Sequence, residues 1–226
     1  MKIYNLKKTF ENFTLSIDDL HIPQGKIYGI IGPNGCGKST LVKIIANTIK
    51  KDSGKIDYEG LTSKDITMVP RKSYMIHDTV YNNLVYPLEI RNIKPRREIV
   101  DEYLKLADFN NEANKYAPGL SGGQMQKLAL IRAMIFSPKF TIIDEGFSNL
   151  DIESTFTFEK EILKRQKENP ATWIIISHQI SSVSRLCDYI YFMWDGKVIA
   201  EGDRENMIYN PKIPELKRYL QTVSLS

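Results

Sequence analysis

Short apolar runs alternate along the chain with segments of helical periodicity. Runs rich in isoleucine and valine lie at residues 27–31, 67–69, 140–143, 173–176 and 189–193. Uninterrupted apolar runs of this length are typical of strands in a parallel sheet that is covered on both faces. Their alternation with helices is typical of βαβ units. The pattern therefore predicts an α/β fold with a mainly parallel sheet.

The segment of about residues 79–137 has helical patterns and no strand pattern. A first helix is predicted to end at Pro87, and a second one to begin near Pro95, since proline is tolerated in a first helical turn. Apolar positions between Ile99 and Leu106 recur at helical spacing. We therefore predict an inserted helical subdomain. After Asp203 the pattern is again helical with two prolines, and it predicts a C-terminal packing element.

Composition limits the classes of protein to which this chain can belong. A chain of 226 residues with 42% hydrophobic and 26% charged residues is typical of a globular protein of one or two domains. The net charge of +4 is too small to indicate a nucleic-acid partner. Cys36 and Cys187 lie far apart in the sequence without a C-x-x-C spacing, so the sequence indicates neither a disulfide framework nor a zinc motif. No apolar run approaches the roughly 20 residues that span a bilayer, so we expect any role at a membrane to depend on another chain.

Residues 32–39 form the pattern G-x-x-x-x-G-K-[ST] between a predicted strand and a predicted helix. In this context the pattern indicates a phosphate-binding loop, because backbone N–H groups turn toward an anion at a helix N-terminus. We expect Lys38 to reach the β- and γ-phosphates, Ser39 to ligate Mg²⁺, and Cys36 to contribute only its backbone. Nucleotide-binding residues are predicted at Gly32, Pro33, Asn34, Gly35, Cys36, Gly37, Lys38, Ser39 and Thr40. The loop alone leaves kinases, GTPases, helicases and transport ATPases open.

Two acidic residues follow the apolar run that begins at Phe140. Asp144 ends the predicted strand at the edge where parallel sheets bind ligands, so we expect it to hold Mg²⁺. Glu145 is then placed to polarise the attacking water as a general base. Such a pair is common at strand ends, and the phosphate loop upstream is what favours the catalytic interpretation.

A second phosphate-binding element is predicted at Leu120-Ser121-Gly122-Gly123-Gln124. Ser121 is a good helix N-cap, but two glycines in a first helical turn are costly unless the backbone must approach a ligand closely. With this string the sequence resembles the ATP-binding subunits of ABC transporters, over essentially the whole chain. The resemblance implies a P-loop NTPase fold with an N-terminal antiparallel β portion, a mainly parallel core sheet and an inserted helical subdomain, within a single ATPase domain of residues 1–226.

The resemblance also implies roles for residues outside these motifs. Asp151 matches the D-loop, and His178 matches the switch histidine that senses the γ-phosphate. Phe10 lies where the family stacks an aromatic ring on adenine, and Phe13 is an alternative for this role. ATP and Mg²⁺ are the implied cofactors. Two copies are implied to pack head to tail, so that residues 121–124 of one copy bind the ATP held by the other.

The sequence departs from the family pattern at two places. Arg71 stands where the family has a glutamine that reaches Mg²⁺ and the attacking water, and a guanidinium, which only donates, cannot ligate a metal. It can pair with the γ-phosphate or with an acidic residue instead. A shifted alignment is the alternative, and no nearby glutamine supports it. Gly146 and Phe147 replace the usual proline and threonine. We expect ATPase activity to survive, with a hydrolysis-impaired subunit as the alternative.

Residues 81–91 and the segment from residue 210 to 220 are similar to small bacterial importer ATPases, most of all to those for tungstate or related oxyanions. Polar amino-acid and phosphate importers are the alternatives. The implied partners are an integral membrane permease and, indirectly, a periplasmic or extracellular substrate-binding protein. The implied location is peripheral, on the cytoplasmic face of the inner membrane. ABC proteins that act on ribosomes or DNA form a rival class, which we disfavour because they are expected to carry two cassettes or a long insertion.

Overall fold

The computed structural model describes residues 1–224, which form two β-sheets with helices packed around them. The strands are β1 (Lys2–Phe10), β2 (Phe13–His21), β3 (Ile27–Ile31), β4 (Ser53–Asp57), β5 (Ile66–Val69), β6 (Phe140–Asp144), β7 (Thr172–Ile176), β8 (Tyr189–Trp194) and β9 (Lys197–Asp203). The helices are α1 (Lys38–Ile45), α2 (Val80–Glu89), α3 (Arg97–Leu106), α4 (Gly122–Met134), α5 (Ile152–Glu168), α6 (Ile180–Leu186) and α7 (Pro214–Ser224). A 3₁₀ turn at Ala117–Gly119 precedes α4, and a π-helical turn at Glu205–Tyr209 precedes α7.

The larger sheet has the strand order β5-β6-β7-β3-β8-β9, in which the first five strands run parallel and β9 pairs antiparallel at the edge. Every residue of β3, β6 and β7 is buried, as expected for a parallel sheet covered on both faces. Since these strands are parallel neighbours, the segments that follow them leave from the same edge. The predicted α/β fold with a mainly parallel sheet is confirmed.

Strand β7 shows how the core is divided. Its side chains alternate between the two faces of the sheet, so Ile174 and Ile176 join one hydrophobic cluster while Trp173 and Ile175 join the other. The first cluster lies between the large sheet, α1 and the three-stranded antiparallel sheet β2-β1-β4. The second lies between the large sheet and the helices from α2 to α7. The antiparallel portion near the N-terminus agrees with the fold that the family resemblance implies.

One helix boundary differs from the sequence pattern, and the starts of two further helices are defined by the structure. Helix α2 continues through Pro87 to Glu89 rather than ending at the proline. Proline removes one main-chain donor, but Leu84 and Leu88 are buried on either side of it, so core packing outweighs the lost hydrogen bond. Helix α4 begins at Gly122 and has both Gly122 and Gly123 in its first turn. Helix α7 begins at Pro214, where proline is tolerated.

Among residues 1–224, each helix is too short or too polar to span a bilayer.

Candidate active site

The phosphate loop joins β3 to α1 in a turn that only glycine can make. Gly32 and Gly37 have φ angles of 148° and 103°, which L side chains rarely adopt. A Cβ at Gly32 would lie 2.1 Å from the Met193 carbonyl oxygen, and a Cβ at Gly37 would lie 2.8 Å from the Phe13 ring. The N-cap of α1 is Gly37, which has no side chain that could cap the helix. The first N–H groups of α1 are therefore available to an anion.

Lys38 folds back over this loop. Its Nζ donates to the carbonyl oxygens of Gly32 at 2.7 Å and Pro33 at 2.8 Å. The side chain is buried, and burial lowers the pKa of Lys38, although the nearby Cys36 and acidic residues oppose this shift. Burial also raises the pKa of the Cys36 thiol. A phosphate in the loop would supply the counter-charge that favours the charged form of Lys38.

Ser39 and Asp144 bring the loop and β6 together. The Ser39 hydroxyl donates to Asp144 Oδ1 at 3.0 Å. Burial raises the pKa of Asp144, and the hydrogen bond from Ser39 opposes this shift. Mg²⁺ at nucleotide sites is held by one or two protein oxygens together with phosphate oxygens and water. A hydroxyl beside a carboxylate at a phosphate loop fits this donor set.

Glu145 lies in an uncommon backbone conformation next to His178. Its φ of 53° is rare for a residue other than glycine, and such strain, of the order of 1–3 kcal/mol, is concentrated at functional sites. Its side chain is buried, and Oε1 lies 2.9 Å from His178 Nε2. The contact lacks hydrogen-bond geometry, since Nε2 has no hydrogen-bond partner within the described chain. Two residues predicted from separate motifs thus meet in the fold.

Arg71 contacts the other oxygen of the same carboxylate. Its Nε lies 2.9 Å from Glu145 Oε2. The register of the sheet explains the contact. Val69 of β5 pairs with Ile143 of β6, and Arg71 and Glu145 each lie two positions beyond this pair. Of the two partners that the sequence leaves open for Arg71, the acidic residue is the one in contact here.

Several of these groups, but neither Asp144 nor His178, line one cavity of about 300 Å³. Its walls are Phe10, Phe13, Asn34, Gly35, Gly37, Lys38, Ser39, Thr40, Arg71 and Glu145. The Phe10 and Phe13 ring centroids lie 6.4 Å apart. Phe10 is exposed, whereas Phe13 packs against Gly37. Of the two rings, Phe10 is therefore the more exposed, and the Lys8 ammonium lies 5.7 Å from its centroid.

Residues 120–124, the signature of the family that the sequence resembles, lie outside this cavity, at the N-terminus of α4. Ser121 Oγ accepts from the Gln124 N–H at 3.3 Å, and Gln124 Oε1 accepts from the Ser121 N–H at 3.1 Å. This is a capping box. Gln124 Nε2 also donates to Glu112. Ser121 and Gly122 are exposed, and a Cβ at Gly122 would have no atom within 4 Å among the residues described. Packing in this chain therefore does not require glycine at position 122.

Asp151 also lies outside the cavity and acts as a helix cap. Its carboxylate accepts hydrogen bonds from the backbone and hydroxyl of Ser154 at the start of α5. The backbone hydrogen bond, followed by the hydroxyl, lowers the pKa of Asp151. The D-loop adjoins the signature, since a Cβ at Gly123 would lie 3.0 Å from the Asn149 carbonyl oxygen.

Gln126 connects three parts of the site and was not found from the sequence. Its Oε1 accepts from Ser73 Oγ at 2.8 Å, in the loop that carries Arg71. Its buried Nε2 has no hydrogen-bond partner within residues 1–224 and would lie 3.5 Å from a Cβ at Gly146. The available signal was a polar residue on the buried face of a helix, where unpartnered amides are costly.

Tyr219 of α7 is a second residue that the sequence did not reveal. Its ring packs 5.6 Å from that of Phe192, between centroids. Burial raises the pKa of Tyr219 to about 12, and the backbone of Gly32 opposes this shift. Helix α7 therefore packs behind the phosphate loop, whereas the sequence indicated only a packing element at an undefined place.

Known proteins resemble this chain in sequence. The ABC transporter family model matches residues 15–148. The tungstate uptake system ATP-binding protein TupC of Peptoclostridium acidaminophilum is 36% identical over 208 residues, which cover 89% of this chain and 97% of that protein. The methionine import ATP-binding protein MetN of Photorhabdus laumondii is 32% identical over 243 aligned positions, covering 98% of this chain and 71% of MetN.

Solved structures show the same fold. The ATP-binding cassette MJ0796, a dimer in a post-hydrolysis state with ADP and Pi, matches with a TM-score of 0.79 and 26% identity, over 90% of this chain and 98% of that one. An ATP-binding subunit of an ABC transporter matches with a TM-score of 0.84 over 99% of this chain and 98% of the other. Its identity of 19% makes this a likeness of fold alone.

Proposed function

The chain belongs to the ABC transporter family and is an ATPase subunit of the importer type, and we propose that it powers the import of tungstate or a related oxyanion through a separate permease. The observation that carries the choice of cargo is the 36% identity to the tungstate uptake protein TupC. Methionine import is the second candidate, because MetN is 32% identical. The cargo does not touch an ATPase subunit of this kind, so the site supports the reaction rather than the cargo.

ATP binds in the 300 Å³ cavity. The N-terminus of α1 and Lys38 hold the β- and γ-phosphates, and the exposed ring of Phe10 stacks on the adenine. Ser39 and Asp144 would hold Mg²⁺, which would neutralise charge on the phosphate oxygens. These assignments are supported by the uncapped start of α1 and by the Ser39–Asp144 contact.

Hydrolysis needs a base close to the γ-phosphate. Glu145 accepts a proton from the attacking water, the oxygen of that water bonds to the γ-phosphorus, and ADP leaves. His178 contacts the carboxylate and orients it. The support for these roles is that Glu145 lines the same cavity as Lys38 and lies 2.9 Å from His178.

A second copy of the chain completes each site. Residues 121–124 of one copy bind the γ-phosphate held by the phosphate loop of the other, in a head-to-tail homodimer. The support is the exposed N-terminus of α4, with Gly122 facing open space. The dimeric state of MJ0796 agrees with this arrangement. ATP then closes the dimer and hydrolysis reopens it, and the difference in binding between the two states drives the permease.

The permease is proposed to bind a groove of about 420 Å³ between α2 and the loop that follows Arg71. Tyr74, Tyr86 and Ile90 line this groove with exposed apolar surface, and exposed apolar patches mark interaction sites. We place the chain on the cytoplasmic face of the membrane, held there by the permease. In this proposal residues 1–226 form one ATPase domain, and about residues 79–137 form its helical subdomain.

The test is transport-coupled ATPase activity in proteoliposomes that contain this chain, its permease and its substrate-binding protein. Tungstate is expected to raise ATP turnover several-fold over the basal rate, and methionine is expected to leave it unchanged. Glu145→Gln is the control and removes turnover under all conditions, since loss of a general base costs about 10²–10⁴-fold. Stimulation by methionine alone would replace the oxyanion proposal with the second candidate.

A further inference from the structure

We propose that Arg71 is a positioning residue that holds the carboxylate of Glu145 and moves to the γ-phosphate when ATP binds. The inference rests on the proposed function, because it takes Glu145 as the general base. It gives the arginine at this position a role of its own in the ATPase cycle.

Both oxygens of the Glu145 carboxylate are in contact with a side chain. Oε2 lies 2.9 Å from Arg71 Nε, and Oε1 lies 2.9 Å from His178 Nε2. A general base must come within about 2.6–3.2 Å of the water from which it takes a proton. Water therefore competes with Arg71 for Oε2, and release of the guanidinium opens this oxygen.

In the ion pair between Arg71 and Glu145, Arg71 is the residue whose side chain can move. Its side chain is 66% exposed, against 8% for Glu145. Among the described residues, the ion pair with Glu145 is the only polar contact of the Arg71 side chain. Glu145 is held by its backbone, since its N–H donates to the Ile176 carbonyl and its own carbonyl accepts from Ser148.

The loop around Arg71 is anchored, so the side chain can move without it. Ser73 donates to Gln126, and Arg132 donates to the carbonyl oxygen of Tyr74 at 2.8 Å. On the other side, the register of β5 against β6 holds Val69 beside Ile143. Exchange of partner therefore needs only rotation within the Arg71 side chain.

The destination lies in the same cavity, where Lys38 marks the phosphate end. A γ-phosphate carries more negative charge than a carboxylate and offers several oxygens to the planar fork of a guanidinium. ADP lacks this group. The exchange thus links release of the base to the presence of ATP.

The experiment measures affinities for ADP and for a non-hydrolysable ATP analogue, both with Mg²⁺, by calorimetry. Arg71→Gln is expected to weaken binding of the analogue by about 10- to 100-fold, in line with loss of a charge-assisted hydrogen bond, and to leave ADP binding within about twofold. Arg71→Lys keeps the charge but not the fork and recovers part of the loss. Lys72→Gln is the matched control, because it removes the same charge from the same loop, where Lys72 contacts the Tyr74 ring; it should leave both affinities unchanged.

A double-mutant cycle with Glu145→Gln separates exchange from simple screening. If Arg71 must leave Glu145 to reach the phosphate, Arg71→Gln weakens analogue binding more in the Glu145→Gln background than in the native chain. A smaller loss in that background means that Arg71 screens the two anions from each other while remaining on Glu145, and overturns the proposal. Equal weakening of analogue binding and ADP binding by Arg71→Gln also overturns the proposal. Failure of the native chain to bind either nucleotide would instead contradict the proposed ATPase function.

Discussion

A glycine lies at the start of two helices next to a proposed phosphate site, as the N-cap of α1 and as the first residue of α4, and for different reasons. At the start of α1, Gly37 has a φ of 103°, and a Cβ there would collide with the Phe13 ring. At the start of α4, Gly122 has no neighbour within 4 Å of an added Cβ in the described chain. The first glycine is required by the fold of the chain itself, and the second is not.

The two helices also differ in how their N-termini are capped. Helix α1 has no side-chain cap, and its first turn faces a cavity that already contains Lys38 and Glu145. Helix α4 is capped by Ser121 and Gln124, and its start at Ser121 and Gly122 is exposed. In the proposed mechanism the α1 region therefore supplies most of a site within one chain, whereas the α4 region acts only against a second copy. Substitutions in the two regions should therefore separate binding of ATP from closure of the dimer.

The largest effect is expected at the α1 region, from Lys38→Met. Removing the ammonium should weaken ATP binding by at least about 100-fold, which removes roughly 2.7 kcal/mol of ligand stabilisation at saturating ATP. Stability without nucleotide should change little, because the buried ammonium carries a desolvation cost that lowers its pKa. Thermal unfolding with and without ATP measures both quantities. Lys50→Met, at an exposed position beyond α1, should keep the ATP-induced rise in unfolding temperature. Loss of this rise in Lys50→Met would mean that the effect depends on the net charge of the chain rather than on Lys38.

An intermediate effect is expected at the α4 region, from Gly122→Ala. A methyl group at a helical position with open space should keep or raise the stability of the monomer, since alanine favours helix by up to about 1 kcal/mol over glycine. ATP-dependent dimerisation and turnover should nevertheless fall by about 10-fold or more, because the methyl group keeps the backbone away from the phosphate of the other copy.

Gly119→Ala is the matched control, since its Cβ would also meet no atom within 4 Å in the described chain. Light scattering in the Glu145→Gln background measures dimerisation without turnover. Equal loss of dimerisation in both alanine variants would contradict a specific role for Gly122.

The smallest effect is expected from removing the cap itself. Ser121→Ala loses the hydrogen bond to the Gln124 N–H and should cost about 1 kcal/mol of unfolding free energy. Thr79→Ala removes the equivalent cap of α2, where Thr79 accepts from the Asn82 N–H, and should cost about the same. Chemical denaturation compares the two. Only Ser121→Ala should also weaken ATP-dependent dimerisation, and a similar weakening in Thr79→Ala would assign the effect to helix stability.

Much of the fold could be predicted from local patterns. The strand at residues 27–31 was placed to the residue, because buried parallel strands have uninterrupted apolar runs bounded by polar segments. The predicted helix end at Pro87 is wrong, because the packing of Leu84 and Leu88 that overrides the proline is not visible in the local pattern. Gln126 was missed because nothing in its neighbours indicates contact with Ser73, which lies 53 positions away.

By itself, the sequence determined the motifs whose chemistry is local: the glycine loop with Lys38 and Ser39, the acidic pair that ends β6, and the signature string. Each depends on residues adjacent in the chain, so spacing is enough to find them. Only the tertiary structure decided which motifs meet. Glu145 contacts both Arg71 and His178 because β5, β6 and β7 are parallel neighbours whose ends share one edge. Such contacts depend on strand order and register, which are set by burial of the whole sheet rather than by any single segment.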